Sequence, residues 1–289
     1  MRSYSRDTRY TMKLAIIADV HGNLAALDRV LEDLDAWGPD EVVVAGDVVN
    51  RGPQPAQCMQ RLAEHMSDGH WHFLQGNHEQ FVLLEGEGRN NRPNWEREVC
   101  GHSRWTYHQL GDAVRDLEAW PLQVDLVGPG GEPLRFVHAS MRGTRHGLYA
   151  QMTDEQLHES VAPAPALLGV GHTHIPFIKQ LGGTLIVNGG AVGLPFDRDT
   201  RAAYARLEYR AGRWHAEVVR LEYDLLATER AFEEGGYLAG GGPMVPLVLD
   251  ELRNARPRLR AWHDHFEARV AAGEMTVEES VSMQLAAGE

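Results

Sequence analysis

Short apolar runs broken by glycine and polar residues set the rhythm of the chain up to residue 190. Residues 13–18 (KLAIIA), 41–45 (EVVVA), 71–75 (WHFLQ), 134–138 (LRFVH), 167–171 (LLGVG) and 184–188 (TLIVN) are brief and rich in β-branched side chains, which predicts buried strands. Between the first two runs, Leu24, Leu27, Leu31, Leu34 and Trp37 recur at helical spacing. Asn23 suits the N-cap of that helix and Gly38 its stop, so the segment reads strand, helix, strand. Residues 203–208 and 213–223 alternate apolar and polar positions around Ala211-Gly212, the pattern of an antiparallel hairpin.

Two further stretches have a different texture. Residues 85–121 read as mostly helical and carry Trp95, Trp105, Tyr107 and Trp120; these aromatics belong either to a lid over a site or to ordinary core packing. After Tyr223 the sequence LLATERAFEEGG predicts a helix, glycine-rich residues 235–242 predict a hinge or loop, and the remainder is rich in Ala, Glu, Arg and Leu. The expected organisation is a disordered tail over residues 1–11 with Met12 as an alternative start, a mixed α/β catalytic domain over 12–223, and a helical C-terminal appendage over 224–289.

Composition narrows the function. The formal charge of −13 opposes a long phosphate backbone, so extended nucleic acid is an unfavoured partner, whereas a small phosphorylated substrate held through cations is compatible with it. No apolar run reaches the roughly 18 residues that span a bilayer, and no apolar segment precedes the first strand, so neither a membrane partner nor a secretory signal is expected. Cys58 and Cys100 lack CxxC spacing, which points away from a disulfide framework and towards a reducing cytoplasm. The sequence carries no signal of oligomeric state.

The candidate chemistry stands at the strand ends. The first strand runs into Asp19-Val20-His21, the second into Gly46-Asp47, the third into Gly76-Asn77-His78-Glu79, the fourth into His138, and the fifth into Gly171-His172-Thr173-His174. Ligand-type side chains at the carboxyl ends of neighbouring strands converge on one crevice. Asp19 with His21, and His172 with His174, stand at i and i+2; in extended backbone each pair faces one side. Carboxylate and imidazole donors without cysteine suit transition-metal cations.

In order and spacing, these blocks resemble the calcineurin-like metallophosphoesterase superfamily, whose signature reads D-x-H, G-D, G-N-H-E/D, H and G-H-x-H. The resemblance spans residues 13–222. It implies a four-layer α/β/β/α sandwich of two mixed sheets flanked by helices, here with a C-terminal helical extension. It also implies two divalent cations, with manganese expected and iron, zinc, nickel or cobalt open. One would take Asp19, His21, Asp47 and His174, the other Asp47, Asn77, His138 and His172, with Asp47 bridging. Such a pair clamps phosphoryl oxygens and acidifies a shared water, the in-line nucleophile. By the same resemblance Asn77 also meets substrate and His78 protonates the leaving oxygen.

The run from Gly46 to Gly52 (GDVVNRG) is similar to the G-D-x-V-D-R-G block of serine/threonine protein phosphatases, but Asn50 stands where they carry Asp. That departure resembles a bacterial phosphodiesterase-like branch. Arg51 becomes a candidate phosphate fork, and Asn50 a candidate substrate-binding residue and a partner of His78. Arg142, Arg145 and His146 either meet substrate or form a solvated basic loop, and Asn188-Gly189-Gly190 reads as a close backbone approach. The expected activity is hydrolysis of small phosphodiesters or monoesters. The alternatives are a nuclease for short nucleic acid and a non-catalytic metal-binding interaction scaffold.

Overall fold

The computed structural model describes residues 11–86 and 91–287, so the expected tail lies, save for Thr11, outside the described residues. Its strands are β1 (Met12–Ile17), β2 (Glu41–Val44), β3 (Trp71–Phe73), β4 (Gln123–Val127), β5 (Pro133–Val137), β6 (Leu167–Val170), β7 (Phe177–Leu181), β8 (Thr184–Asn188), β9 (Ala202–Arg210) and β10 (Arg213–Leu221). They form two five-stranded sheets, ordered β10-β9-β1-β2-β3 and β4-β5-β6-β8-β7. Both are mixed: β1, β2 and β3 run parallel, as do β5, β6 and β8, while the remaining strands pair antiparallel.

Alternation along β1 explains the layering. Leu14, Ile16 and Ala18 pack between the sheets with Phe136, Leu167 and Val187, whereas Ala15 and Ile17 face outward onto Leu27, Val30 and Leu34. Those leucines and valine belong to the Leu24–Trp37 helix, which covers the first sheet. Its N-cap is Asn23, whose side chain accepts from the Ala26 N–H at 3.1 Å, and Gly38 ends it with a φ of 66°. On the second sheet, Val137, Leu168 and Ile186 face away from the sandwich onto Leu157 and Val161 of the Asp154–Val161 helix. Strands covered on both faces read as continuous apolar runs, which is why these were visible in sequence.

The hairpin joining β9 to β10 turns at Ala211 (φ 52°) and Gly212 (φ 76°), both left-handed as a two-residue hairpin turn demands. β4 and β7 were not expected. Both are edge strands with half-exposed patterns, QVDLV and FIKQL, whose Asp, Lys and Gln break the apolar run.

Glycine-rich residues 235–242 are not a loop throughout, because a one-turn helix, Tyr237–Gly240, forms within them. The Tyr237 ring drives this by packing 4.6 Å from Trp105 and 5.3 Å from Phe232. Helices Leu225–Glu234, Val245–Asn254, Arg258–His265 and Val277–Ala286 share one apolar core with Val99, Trp95 and Trp105 of residues 94–110. The tryptophans at 95 and 105 are therefore core packing, and Trp120 joins the core beneath the first sheet. The helical core also takes in Leu194 and Phe196, which matters for the site.

Candidate metal centre

The loops that follow β1, β2, β3, β5 and β6 meet at one end of the sandwich. Backbone bonds staple the first two together, Asp19 N–H to Gly46 O at 3.1 Å and His21 N–H to Asp47 O at 3.0 Å. The D-x-H and H-x-H pairs are not in extended backbone as expected. Asp19, His21, Asp47, Asn50, Arg51, His172 and His174 all have φ between 47° and 71°, and they make up seven of the ten described non-glycine residues with positive φ. Each such conformation costs on the order of 1 kcal/mol and persists only where surroundings impose it. Here the turn after each strand folds the side chains inward instead of alternating them across a sheet.

Hydrogen bonding fixes which imidazole nitrogen each ring presents. His21 Nδ1 lies 3.1 Å from Asn50 O and His138 Nδ1 lies 2.8 Å from Ala45 O, while His174 Nδ1 bonds Leu194 O. A carbonyl only accepts, so these Nδ1 atoms carry the protons and the Nε2 lone pairs point inward. Those lone pairs meet other acceptors. His21 Nε2 faces His174 Nε2 at 3.2 Å, and His138 Nε2 lies 3.1 Å from Asp47 Oδ2 and 3.0 Å from Asn77 Oδ1. His172 Nδ1 approaches the same Asn77 oxygen at 2.8 Å. Asp19 Oδ1 and Asp47 Oδ2 are buried and accept no hydrogen bond.

Electron pairs turned on one another in a buried pocket fit a cation site. Two groups have ligand atoms all within 4.8 Å of each other: Asp19, His21, Asp47 and His174, and Asp47, His138 and His172. Asp47 belongs to both, and the Asn77 side-chain oxygen lies beside the second, 3.0 Å from His138 Nε2 and 2.8 Å from His172 Nδ1. Electrostatics divide the rings. Burial disfavours a charge on His138, yet the Asp47 and Asp19 carboxylates overcome it and raise the ring to about 10, so that without a cation Nε2 holds a proton that a metal would displace. Burial also raises Asp19, and it lowers His21 and His172 to about 4, which keeps those two rings in the neutral, ligating form. The donor set of carboxylate, imidazole and amide oxygen fits divalent transition cations.

The remaining expected residues surround this pocket. His78 donates its backbone N–H to Asp47 Oδ1 at 2.8 Å and sets its ring Nδ1 2.9 Å from Asn50 Nδ2. The Asn50 amide is oriented by Arg51 N–H, which donates to its oxygen at 2.9 Å; its nitrogen therefore faces His78, whose proton resides on Nε2. Arg51 is half-buried beside them. Arg145 is exposed and lies over the Phe81 ring at 4.5 Å, Arg142 is exposed, and His146 reaches Ser140 at 3.2 Å, so this basic loop borders the site without entering the ligand groups. Asn188 donates to Gly171 O at 2.8 Å and Thr173 Oγ1 at 3.0 Å, holding the loop of His172 and His174. A Cβ on Gly189 would meet Ala205 N at 2.7 Å, the close approach its glycine implied.

One residue escaped the sequence reading. Glu79 is fully buried, and its carboxylate accepts from the N–H groups of Asp47 (2.7 Å), Gly76 (2.7 Å), Val48 (2.8 Å) and Val49 (3.3 Å). It thereby anchors the loop that carries the shared carboxylate. The signal was its place three residues after Gly76, the spacing of a carboxylate that reaches back to a helix start.

Comparison with known proteins agrees with this geometry. Residues 12–212 match the family model described as the calcineurin-like phosphoesterase superfamily domain. A metallophosphoesterase from Sphaerobacter thermophilus of known structure is 27% identical, with a TM-score of 0.66 over 85% of this chain and 100% of that one. An uncharacterised protein of Methanocaldococcus jannaschii is 27% identical over 76% of this chain and 90% of its own length. Phosphodiesterase YfcE of Escherichia coli is 41% identical over 61 residues, 18% of this chain and 33% of its own.

Proposed function

The chain belongs to the calcineurin-like phosphoesterase superfamily, and from that premise we propose that it hydrolyses small phosphoesters with two divalent transition cations held across Asp47. The observation that carries this reading is the pair of buried ligand groups sharing that one carboxylate. Asp19, His21, Asp47 and His174 would hold one cation, and Asp47, Asn77, His138 and His172 the other. When bound, the pair supplies Lewis-acid charge to the phosphoryl oxygens and to water.

The chain's own residues do the rest. Asn77, anchored between His138 and His172, offers its amide edge to the substrate, and Arg51 neutralises phosphoryl charge beside it. Asn50, donating to Nδ1, holds His78 in the tautomer with a proton on Nε2. From that atom His78 donates to the departing oxygen and yields the proton to an alkoxide basic enough to take it. A deeply buried centre, with Asp19, Asp47 and His138 fully enclosed, favours a compact ester over a polymer. The similarity to a protein named as a phosphodiesterase supports including diesters.

The test is a panel of mono- and diesters assayed with protein stripped of metal and then reconstituted. Turnover is expected with manganese or another transition cation, more weakly with magnesium, and none after chelation. Verified metal loading without turnover of any ester would overturn the reading.

A further inference from the structure

Where the sandwich meets the helical unit, a cleft of about 710 Å³ is lined by Phe196, Arg198, Arg256, Pro257, Arg258 and Ala261. Three of these six residues are arginines and none is acidic, in a chain with 41 acidic residues against 28 basic ones. Like charges gathered at one cavity repel one another, and the nearby carboxylates do not relieve them. Asp197 pairs with Arg220, and Asp199 holds Arg201 at 2.7 Å. Among the described residues, the guanidinium groups of Arg198 and Arg256 have no ion pair or hydrogen bond. Arg258 is nearly buried, and its Nε bonds Asp250; its two terminal nitrogens hold no bond among the described residues.

The backbone fixes where two of these cations stand. Outside the metal centre, three described non-glycine residues have positive φ. Ala211 turns the hairpin, and the other two, Arg198 (67°) and Ala255 (48°), meet at the cleft, where the Arg198 N–H donates to Ala255 O at 3.0 Å. Such backbone persists only where its surroundings impose it. The bond fastens the loop after Phe196 to the end of the Val245–Asn254 helix, one residue before Arg256. The same loop reaches the metal centre: the Phe196 N–H donates to His174 O at 3.2 Å, and its ring stacks on the His174 ring at 4.2 Å. Phe196 therefore belongs both to the cleft wall and to the surroundings of a cation ligand.

We propose that this cleft is an anion site for a phosphate-bearing small molecule, held by Arg198, Arg256 and Arg258 and joined to the metal centre through Phe196. Guanidinium groups only donate, so the ligand must bring acceptors and negative charge. Their planar forks match phosphate oxygens two at a time. A neutral alcohol would leave the three cations uncompensated, and the net charge of −13 opposes an extended nucleic acid. A cleft of this volume suits a small molecule. The phosphate belongs either to the far end of an ester whose other end lies at the metals, or to a separate molecule. The site stands on the cleft and its charge, independently of the phosphoester reading.

The probe is inorganic phosphate, titrated by calorimetry into the manganese-loaded parent and the double variant Arg198→Gln/Arg256→Gln. Arg198 is exposed and Arg256 half-buried, and neither side chain has a partner to lose, so the substitutions remove charge and leave packing in place. The parent is expected to bind one phosphate that the variant loses or holds about ten-fold more weakly or worse, as the loss of charge-assisted bonds requires. Phosphate held at the metals is common to both proteins and cancels. Equal stoichiometry and affinity would overturn the proposal. So would the same loss in Arg210→Gln/Arg213→Gln, which removes equal charge at the hairpin turn. Two kinetic arms separate the sources. A distal phosphate of the substrate predicts that the cleft variant raises KM for an alkanediol bisphosphate and not for an alkyl monophosphate, at unchanged kcat. A separate molecule predicts unchanged KM values, with sulfate altering monophosphate turnover in the parent only. Absence of turnover with every ester would sink the phosphoester reading, while the phosphate titration still decides the cleft.

Discussion

Replacing Glu79 by Gln tests whether the shared carboxylate of the metal centre is held by a residue that never touches it through a side chain. Glu79 Oε2 accepts from Asp47 and Gly76 N–H, both at 2.7 Å, and Oε1 from Val48 N–H at 2.8 Å and Val49 N–H at 3.3 Å. Whichever oxygen becomes an NH2 group, two inward backbone donors lose a charged acceptor and face a donor instead. Hydrogen bonds to a charged group contribute roughly 1.5–3 kcal/mol each. Relief works in the opposite direction, because burial, and then the nearby Asp47 charge, raise this carboxyl to about 7. The net expectation is a destabilisation of about 2–4 kcal/mol. A loosened Asp47 should also weaken metal binding by roughly 10–100-fold, as removing a ligand's supporting bonds does elsewhere. Urea unfolding of the metal-free protein, followed by tryptophan fluorescence, reads the first quantity, and competition with a chromophoric chelator reads the second. A variant within about 0.5 kcal/mol of the parent, with unchanged metal affinity, would refute the anchoring role.

Asp47→Asn should lower affinity at both cation positions at once, checked by metal analysis after dialysis; two tightly held ions would show that Asp47 is not shared. His78→Ala should keep its metals and lose turnover by roughly 10²–10⁴-fold on alkyl esters, with a smaller loss on nitrophenyl esters whose leaving group needs no proton; a uniform loss across leaving groups of graded basicity would remove the acid role. For Glu251, burial and the loss of hydration raise the folded carboxyl to about 7, above its ordinary value of 4.5. A raised acid stabilises the fold fully below the lower value and loses that contribution as pH climbs to the higher one. Between pH 4.5 and 7 the parent should therefore lose on the order of 3 kcal/mol of stability relative to Glu251→Gln, and parallel stability curves in that window would contradict it.

What could be read in sequence follows from physics that acts locally. A strand buried on both faces must be apolar along its length, so β1, β2, β5, β6 and β8 were visible, and residue types at their ends named the ligand groups. Edge strands β4 and β7 answer to water on one side, and their polar residues hid them. Backbone handedness was also out of reach: nothing in the letters Asp-Val-His says that both ends of the triplet take positive φ, because that conformation is imposed by Gly46 O and Asp47 O from another loop. Glu79 stood in plain view within a recognised block, and its spacing from Gly76 was legible, but its other three partners are backbone amides 30 to 32 positions away, and no side-chain pattern reports those. Tyr237 was hidden differently. It stands among glycines that suggest a loop, and only the aromatic pocket of Trp105 and Phe232 makes the turn helical.

The helices after residue 224 bear on the metal centre through two separate contacts, and the two differ in kind. One is apolar. Leu194 and Phe196 belong to the helical core, and they also hold His174, the first by accepting from its Nδ1 and the second by stacking on its ring at 4.2 Å. The other is electrostatic, the charge of Arg51 acting on the buried Tyr237 hydroxyl and Glu251 carboxyl. Packing of this core thus bears on the ring of His174, a member of the first candidate ligand group, while Arg51 and the helices interact through charge. Small changes of packing in this core, such as trimming Phe196, would act first on His174 and on metal affinity. The Phe196 ring acts on His174 by dispersion and the Leu194 carbonyl by a hydrogen bond, so these two supports can be separated by mutation at Phe196 alone.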